Sequence, residues 1–314
     1  MRIRPVSTVT SAILGLSLPA LLLAGPAAAQ PAAARPTTAV TPLNTFAIAH
    51  RGVPVEAPEN TLASIDRAAG LGIEWVENDV QRTKDGVLII MHDTSLARTT
   101  DVEQRYPRRA PWKVADFTLA EIRKLDAGSW FDRRFKGERV PTLRSYLRRV
   151  DHNRQKLLLE VKEPGLYPGI EEQLVTELRR AGWLDARHVA RRLVVQSFDA
   201  NSLKTFHRLR PDVKTGFLGA PKAADLRSYA KFVDQINPNH KSVTADWVKA
   251  VHALKGPQGK RLTVSAWTVD DGRRAVALAR LGVDGIISNA PHVVEEALDE
   301  ESGIISAMGG GGSL

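Results

Sequence analysis

The sequence predicts an α/β fold, a (β/α)8 TIM barrel with a small insertion after the second strand. Three observations predict it. From residue 46 onward, short β-rich runs alternate with amphipathic stretches of helical length, the rhythm of parallel strands joined by crossover helices. The runs in that alternation number eight, the strand count of a closed barrel. One further run, 87–92, breaks the rhythm, because only Thr83-Lys84-Asp85-Gly86 separates it from the run before, a hairpin signal too short for a helix.

Taken in order, the barrel strands are expected at 46–49, 73–79, 156–162, 193–197, 214–218, 233–236, 262–267 and 285–288. Helices are expected at 61–71, 141–150, 169–181, 200–209, 223–231, 244–255, 272–281 and 291–298. The run at 87–92 reads as an antiparallel return strand. It opens an insertion of about 83–137, holding the 105–112 and 125–131 segments, which is expected to sit over one end of the barrel. No repeat of fixed period is present, which argues against solenoids and propellers. The chief alternative, a doubly wound open sheet, lacks its best local support. No G-x-G-x-x-G follows the first strand, and no G-x-x-x-x-G-K-[ST] loop occurs.

The ends of the chain are set apart from the fold. Arg2 and Arg4 precede an apolar run at 12–24, and Pro26-Ala27-Ala28-Ala29 follows it, so residues 1–29 read as a signal peptide cleaved after Ala29. The run is shorter than the ~20 residues of a bilayer span, so no stable membrane insertion is expected after cleavage. The expected location is secreted or extracellular, or periplasmic where there is an outer membrane. Residues 30–44 read as a flexible linker, 45–302 as the barrel domain and 303–314 as a Gly-rich flexible tail. With 0 cysteines, an exported chain must take its stability from a core and from any bound metal. The net charge of +9 falls to +7 without Arg2 and Arg4, which favours anionic substrates or surfaces. Basic pairs such as Arg108-Arg109, Arg148-Arg149 and Arg191-Arg192 are scattered and not interleaved with aromatics, which argues against nucleic acid.

Barrel active sites gather at the carboxyl ends of the strands. The first strand ends in His50-Arg51-Gly52, the second carries Glu77 and Asp79, the return strand ends in His92-Asp93, and the third barrel strand carries Glu160 and Lys162. Side chains at i and i+2 share a face, so Glu77 pairs with Asp79 and Glu160 with Lys162, and three carboxylates can converge. Such a cluster needs a positive partner, and an all-oxygen donor set favours Ca²⁺ or Mg²⁺ over zinc. The hairpin returns His92 beside the carboxylates, and His50 arrives from the adjacent strand. Two imidazoles flanking a metal suit a general acid and a general base. Arg51 and Lys162 add positive charge where a phosphate would sit. His152, His188, His207, His240, His252 and His292 have no carboxylate cluster nearby in the sequence and read as surface or capping residues.

These residues fall in a specific order of motifs: His50-Arg51-Gly52, Ala57-Pro58-Glu59-Asn60-Thr61, Glu77-Asn78-Asp79-Val80, Thr83-Lys84-Asp85-Gly86 and His92-Asp93. Arg98-Thr99-Thr100, Pro141-Thr142-Leu143, Glu160-Val161-Lys162, Gln196-Ser197-Phe198, Trp267-Thr268-Val269 and Gly282-Val283-Asp284-Gly285 continue it. Over residues 46–291 the chain resembles the glycerophosphodiester phosphodiesterases. The resemblance implies metal-dependent hydrolysis of a glycerophosphodiester to glycerol 3-phosphate and an alcohol. It also implies His50 and His92 as acid and base, Glu77, Asp79 and Glu160 as metal ligands, Arg51 and Lys162 as phosphate contacts, and Glu59 in support. Phe198 and Trp267, at strand ends, read equally as an apolar wall for the substrate and as core. Arg144-Ser145 and Ser288-Asn289 depart from the family pattern and are expected to lie outside the groups that carry the chemistry, bearing on substrate contacts more than on catalysis. Other readings are a related lipid phosphodiesterase, of lysophospholipase D or sphingomyelinase D type, and a non-catalytic exported barrel binding phosphorylated polymers. The sequence leaves the oligomeric state open.

Overall fold

The computed structural model describes residues 43–309. The expected signal peptide (1–29), the linker (30–44) apart from its last two residues, and residues 310–314 of the expected tail lie outside the described residues.

Nine strands form one sheet: β1 (Phe46–Ala49), β2 (Trp75–Arg82), β3 (Leu88–Ile90), β4 (Lys156–Val161), β5 (Leu193–Ser197), β6 (Lys214–Leu218), β7 (Gln235–Asn237), β8 (Thr263–Ala266) and β9 (Gly285–Ser288). Eight of them pair in parallel in the order β1-β2-β4-β5-β6-β7-β8-β9, and β9 pairs back to β1, with Phe46 opposite Gly285 and Ala49 opposite Ser288. The sheet is therefore a closed barrel with no free edge among its parallel strands. β3 hangs antiparallel on β2, with Val80 opposite Ile90 and Arg82 opposite Leu88. That pairing carries β2 three residues beyond its expected end at residue 79.

Strand alternation sorts the side chains into two cores. Ile48, Leu158, Val194 and Ile287 face the barrel axis and pack together, with Phe46, Trp75 and Trp267 against them. The opposite faces, including Val76, Val80, Leu157 and Leu159, pack against the helices. Helix Leu143–His152 shows why those helices form where they do. Leu143, Tyr146, Leu147 and Val150 recur at one face and are buried, each contributing about 1.5–3 kcal/mol of apolar burial. Thr142 caps its first turn by accepting from the Ser145 N–H. Thr61, Asp199, Thr244 and Asp271 cap four other helices in the same way.

β3 and the chain between it and helix Leu143–His152 build their own small core of Ile89, Met91, Leu96, Val102, Val114, Phe117, Ile122 and Leu125. Its helices, Val102–Arg105 and Leu119–Ile122, are single turns, too short for helical periodicity to register in the sequence. Helix Ala186–Arg191 was likewise not expected from the pattern. The helix expected at 223–231 shrinks to Leu226–Tyr229, which has no side-chain cap. The expected tail needs a correction, because the last helix runs Pro291–Gly309. Gly303 costs a helix interior about 1 kcal/mol, which does not stop it.

Gly52 is required by geometry. Its φ is +90°, and a Cβ there would lie 2.6 Å from Ser64 Cβ and 2.7 Å from the Ser64 backbone carbon. Gly52→Ala is therefore expected to destabilise the fold by roughly 2–4 kcal/mol, read as a lowered midpoint in urea.

Candidate active site

Glu77 and Asp79 on β2 point inward, and β4 brings Glu160 directly opposite Asp79 in the parallel ladder. One carboxylate oxygen from each of the three lies within 4.8 Å of the others, and all three residues are buried. Among the described residues this is the one group of three or more acidic or imidazole side chains so arranged.

Two cations answer the cluster. Arg51 follows β1 in a left-handed conformation (φ 60°), and Gly52 continues the turn. The turn aims the Arg51 N–H at Glu77 Oε2 (3.0 Å) and sets its Nε 3.3 Å from Asp79 Oδ2. Lys162 Nζ lies 2.9 Å from Glu160 Oε1 and 3.9 Å from Asp79 Oδ1. These charges do not suffice for three buried carboxylates. Burial and the neighbouring Asp79 push Glu160 up to about 8, and burial with Asp79 and Glu160 drives Glu77 well above the carboxylate range. For Asp79 burial acts upward, but Arg51, His92 and Lys162 together hold it below its ordinary value. Asp79 Oδ1 is buried and accepts no hydrogen bond. A buried, under-neutralised, all-oxygen set with a free lone pair fits a divalent cation.

Both histidines line the cavity beside the cluster. His50 follows β1 directly, and its backbone N–H donates to Ser288 O (2.9 Å). Its Nδ1 lies 2.8 Å from Asn289 Oδ1. Burial, with Arg51 beside it, pushes His50 down to about 4, so it is uncharged at neutral pH. His92 stands on the turn after β3, where Gln81 Nε2 donates to the carbonyls of Met91, His92 and Asp93 at 2.7–3.1 Å. The Tyr167 hydroxyl donates to Gln81 Oε1 (2.8 Å), which fixes that amide's orientation. His92 Nδ1 lies 2.6 Å from Asp93 Oδ1.

His50, Arg51, Glu77, His92, Glu160, Lys162, Phe198 and Trp267 all line one cavity of about 130 Å³, together with Gln196 and Leu218. Phe198 and Trp267 meet edge to face, with ring centroids 5.5 Å apart, and Phe198 is 51% exposed. Phe198 is thus a wall of the mouth and not core. Glu59 and Asp79 stand behind the lining. Glu59 is gripped by Arg51 Nη1 (3.0 Å) and by Arg98 (2.7 and 2.8 Å). Arg98 also holds Asp93, so one guanidinium ties the support of Arg51 to the support of His92.

Several supporting residues were not singled out from the sequence. Asn60 Nδ2 donates to Asp79 Oδ2 (2.8 Å), and Arg98 was seen only as part of a motif. Asn289 corrects the expectation that Ser288-Asn289 bears on substrate contacts more than on chemistry, since it touches His50 itself. The available signal was its place two residues after inward-facing Ile287. Arg144, by contrast, pairs with Glu177 on the helical shell, away from the site as expected. Another correction concerns His188. It is buried against Trp183 with its ring nitrogens facing Asp185 and Asp151, a packed hydrogen-bonding element and not a surface residue.

Two imidazoles, two cations and an acidic triad at the carboxyl end of a (β/α)8 barrel define an enzyme class built to cleave phosphate esters. Residues 50–293 match the Glycerophosphoryl diester phosphodiesterase family. A glycerophosphodiester phosphodiesterase of Caldanaerobacter subterraneus is 34% identical over 258 residues, covering 80% of this chain and 97% of that protein. One from Bacillus subtilis is 32% identical over 266 residues, covering 80% and 86%. Among solved structures, an Oleispira antarctica phosphodiesterase in complex with the product sn-glycerol-3-phosphate superposes with a TM-score of 0.70 at 30% identity, covering 81% of this chain and 96% of that one. The chain belongs to the glycerophosphoryl diester phosphodiesterase family and is a phosphoric diester hydrolase.

Proposed function

We propose that this protein hydrolyses glycerophosphodiesters to glycerol 3-phosphate and an alcohol by two-histidine acid/base catalysis at a divalent metal. The observation that carries this reading is the single cavity in which His50, His92, Arg51, Lys162 and the edge of the acidic triad converge. Glu77, Asp79 and Glu160 would hold the cation, with Ca²⁺ or Mg²⁺ matching their hard oxygen donors. When bound, such an ion supplies stabilisation of the charge that develops on the phosphoryl oxygens.

The chain's own groups do the rest. Uncharged His50 accepts the proton of the attacking hydroxyl through Nε2, as its Nδ1 is engaged by Asn289. His92 gives a proton to the oxygen of the departing alcohol, and Asp93 at its Nδ1 supports the charge of the protonated ring. The new P–O bond forms as the bond to that alcohol breaks. The glycerol 2-hydroxyl, followed by water opening of a cyclic phosphate, and direct attack by water use the same pair. Arg51 and Lys162 orient the phosphate, while Phe198 and Trp267 flank the organic part. The apolar segment at 12–24 and the small residues after it support an exported enzyme.

Incubation of the metal-loaded enzyme with glycerophosphocholine is expected to release glycerol 3-phosphate and choline in equal amounts. Turnover of micellar lysophosphatidylcholine or sphingomyelin, with glycerophosphocholine untouched, would replace this reading with the lipid phosphodiesterase one.

A further inference from the structure

The amide that faces His50 is not free to choose its orientation. Asn289 donates its backbone N–H to Asp270 Oδ1 (2.7 Å) and its side-chain Nδ2 to Asp270 Oδ2 (2.9 Å). Ser288 Oγ donates to the same Oδ1 (3.1 Å). An ionised carboxylate only accepts, so the half of the Asn289 amide toward Asp270 must be the NH₂. The half toward His50 must then be the carbonyl oxygen, 2.8 Å from Nδ1. A carbonyl also only accepts, so Nδ1 carries the ring hydrogen, and the lone pair of the neutral ring is on Nε2.

We propose that Asp270 and Asn289 are positioning residues that fix His50 in its Nδ1–H tautomer, leaving Nε2 free to accept a proton in the cavity. The proposal rests on the reading of His50 as the base. Asp270 acts without touching the ring, two hydrogen bonds away from it. The contrast with His92 follows from the partners: a neutral amide sets the tautomer of one ring, and a carboxylate stands at the other.

Asp270→Asn tests this through one predictable rearrangement. The new side-chain oxygen keeps the place of Oδ1, where it still accepts from Ser288 Oγ and the Asn289 N–H. Its NH₂ then takes the place of Oδ2 and meets the NH₂ of Asn289. The Asn289 amide must turn over, presenting NH₂ to His50, and the ring must move its hydrogen to Nε2. The base is then lost from the cavity although His50 is intact. The double variant Asp270→Asn/Asn289→Asp restores the arrangement, because a carboxylate at 289 accepts from His50 Nδ1–H and from the NH₂ at 270.

The readouts are kcat and KM on glycerophosphocholine for the metal-loaded enzyme, and ¹⁵N NMR of histidine-labelled protein, with the His50 signals identified by their loss in His50→Ala. Wild type is expected as the Nδ1–H tautomer. Asp270→Asn should show Nε2–H and lose ~10-fold or more in kcat at little-changed KM, and the double variant should recover both. An Nε2–H tautomer in the wild type overturns the proposal, and that measurement stands even where a variant fails to fold. An unchanged tautomer and kcat in Asp270→Asn, or a kcat loss that the double variant does not repair, also overturns it. Wild-type turnover in His50→Ala would instead remove the base reading beneath it.

Discussion

Replacing either His50 or His92 with alanine is expected to lower kcat by ~10²-fold or more, while the fold and metal binding survive. Neither ring contributes a hydrogen bond to the three carboxylates, so its loss leaves Glu77, Asp79 and Glu160 in place. The two variants should differ in one respect. A substrate whose alcohol leaves easily needs little protonation of the departing oxygen, so His92→Ala should recover much of its rate on an aryl phosphodiester. His50→Ala should not, because the attacking hydroxyl must still lose its proton. Uncharged His50, pushed down to about 4, has the base's protonation state already at neutral pH. The reverse recovery pattern would exchange the two roles, and near-wild-type turnover of glycerophosphocholine by either variant would sink the two-histidine mechanism.

The barrel was legible because its signals are periodic and local. Strands β1, β5, β6 and β9 fall on their expected residues, since each is a short β-rich run bounded by turn or cap residues. The acidic triad was legible for a related reason: an i, i+2 spacing on one strand sends two carboxylates to one face wherever the strand lies. What the sequence withheld is second-order geometry. The role of Arg98 depends on bridging Glu59 and Asp93, residues 39 and 5 positions away, and no spacing rule encodes a bridge of that kind. Asn289 was misjudged because its contact with His50 is made by the seam where β9 closes on β1, 239 residues apart in the chain. The insertion's single-turn helices escaped for lack of length, and the last helix runs past its expected end at residue 298 and through Gly303, a weak stop.

Removing the metal is expected to abolish turnover and to add to the fold a pH dependence carried by the emptied carboxylates. In the metal-free protein Glu160 titrates near 8, far above its ordinary 4.5, so between those values the folded state holds a proton that the unfolded chain releases. Stability then falls as pH rises through that window. His50 works in the opposite sense: its descent from 6.5 to about 4 means that the stability linked to its neutral form is lost as pH falls through that range. Between pH 6.5 and 8 the histidine is spent, and the raised carboxylates Glu160 and Glu77 act in one direction. Across that interval the chelated enzyme should lose Tm with rising pH, and Glu160→Gln should lessen the loss, leaving the part that Glu77 carries. Metal entry expels the protons that burial leaves on Glu160 and Glu77, so apparent affinity should climb with pH, by up to about tenfold per unit for each proton released. Isothermal titration with Ca²⁺ and Mg²⁺ at several pH values in this window, with Tm recorded in chelator, measures both. Full activity in excess chelator, or a Tm indifferent to metal at every pH, would mean that Glu77, Asp79 and Glu160 do not hold a working ion.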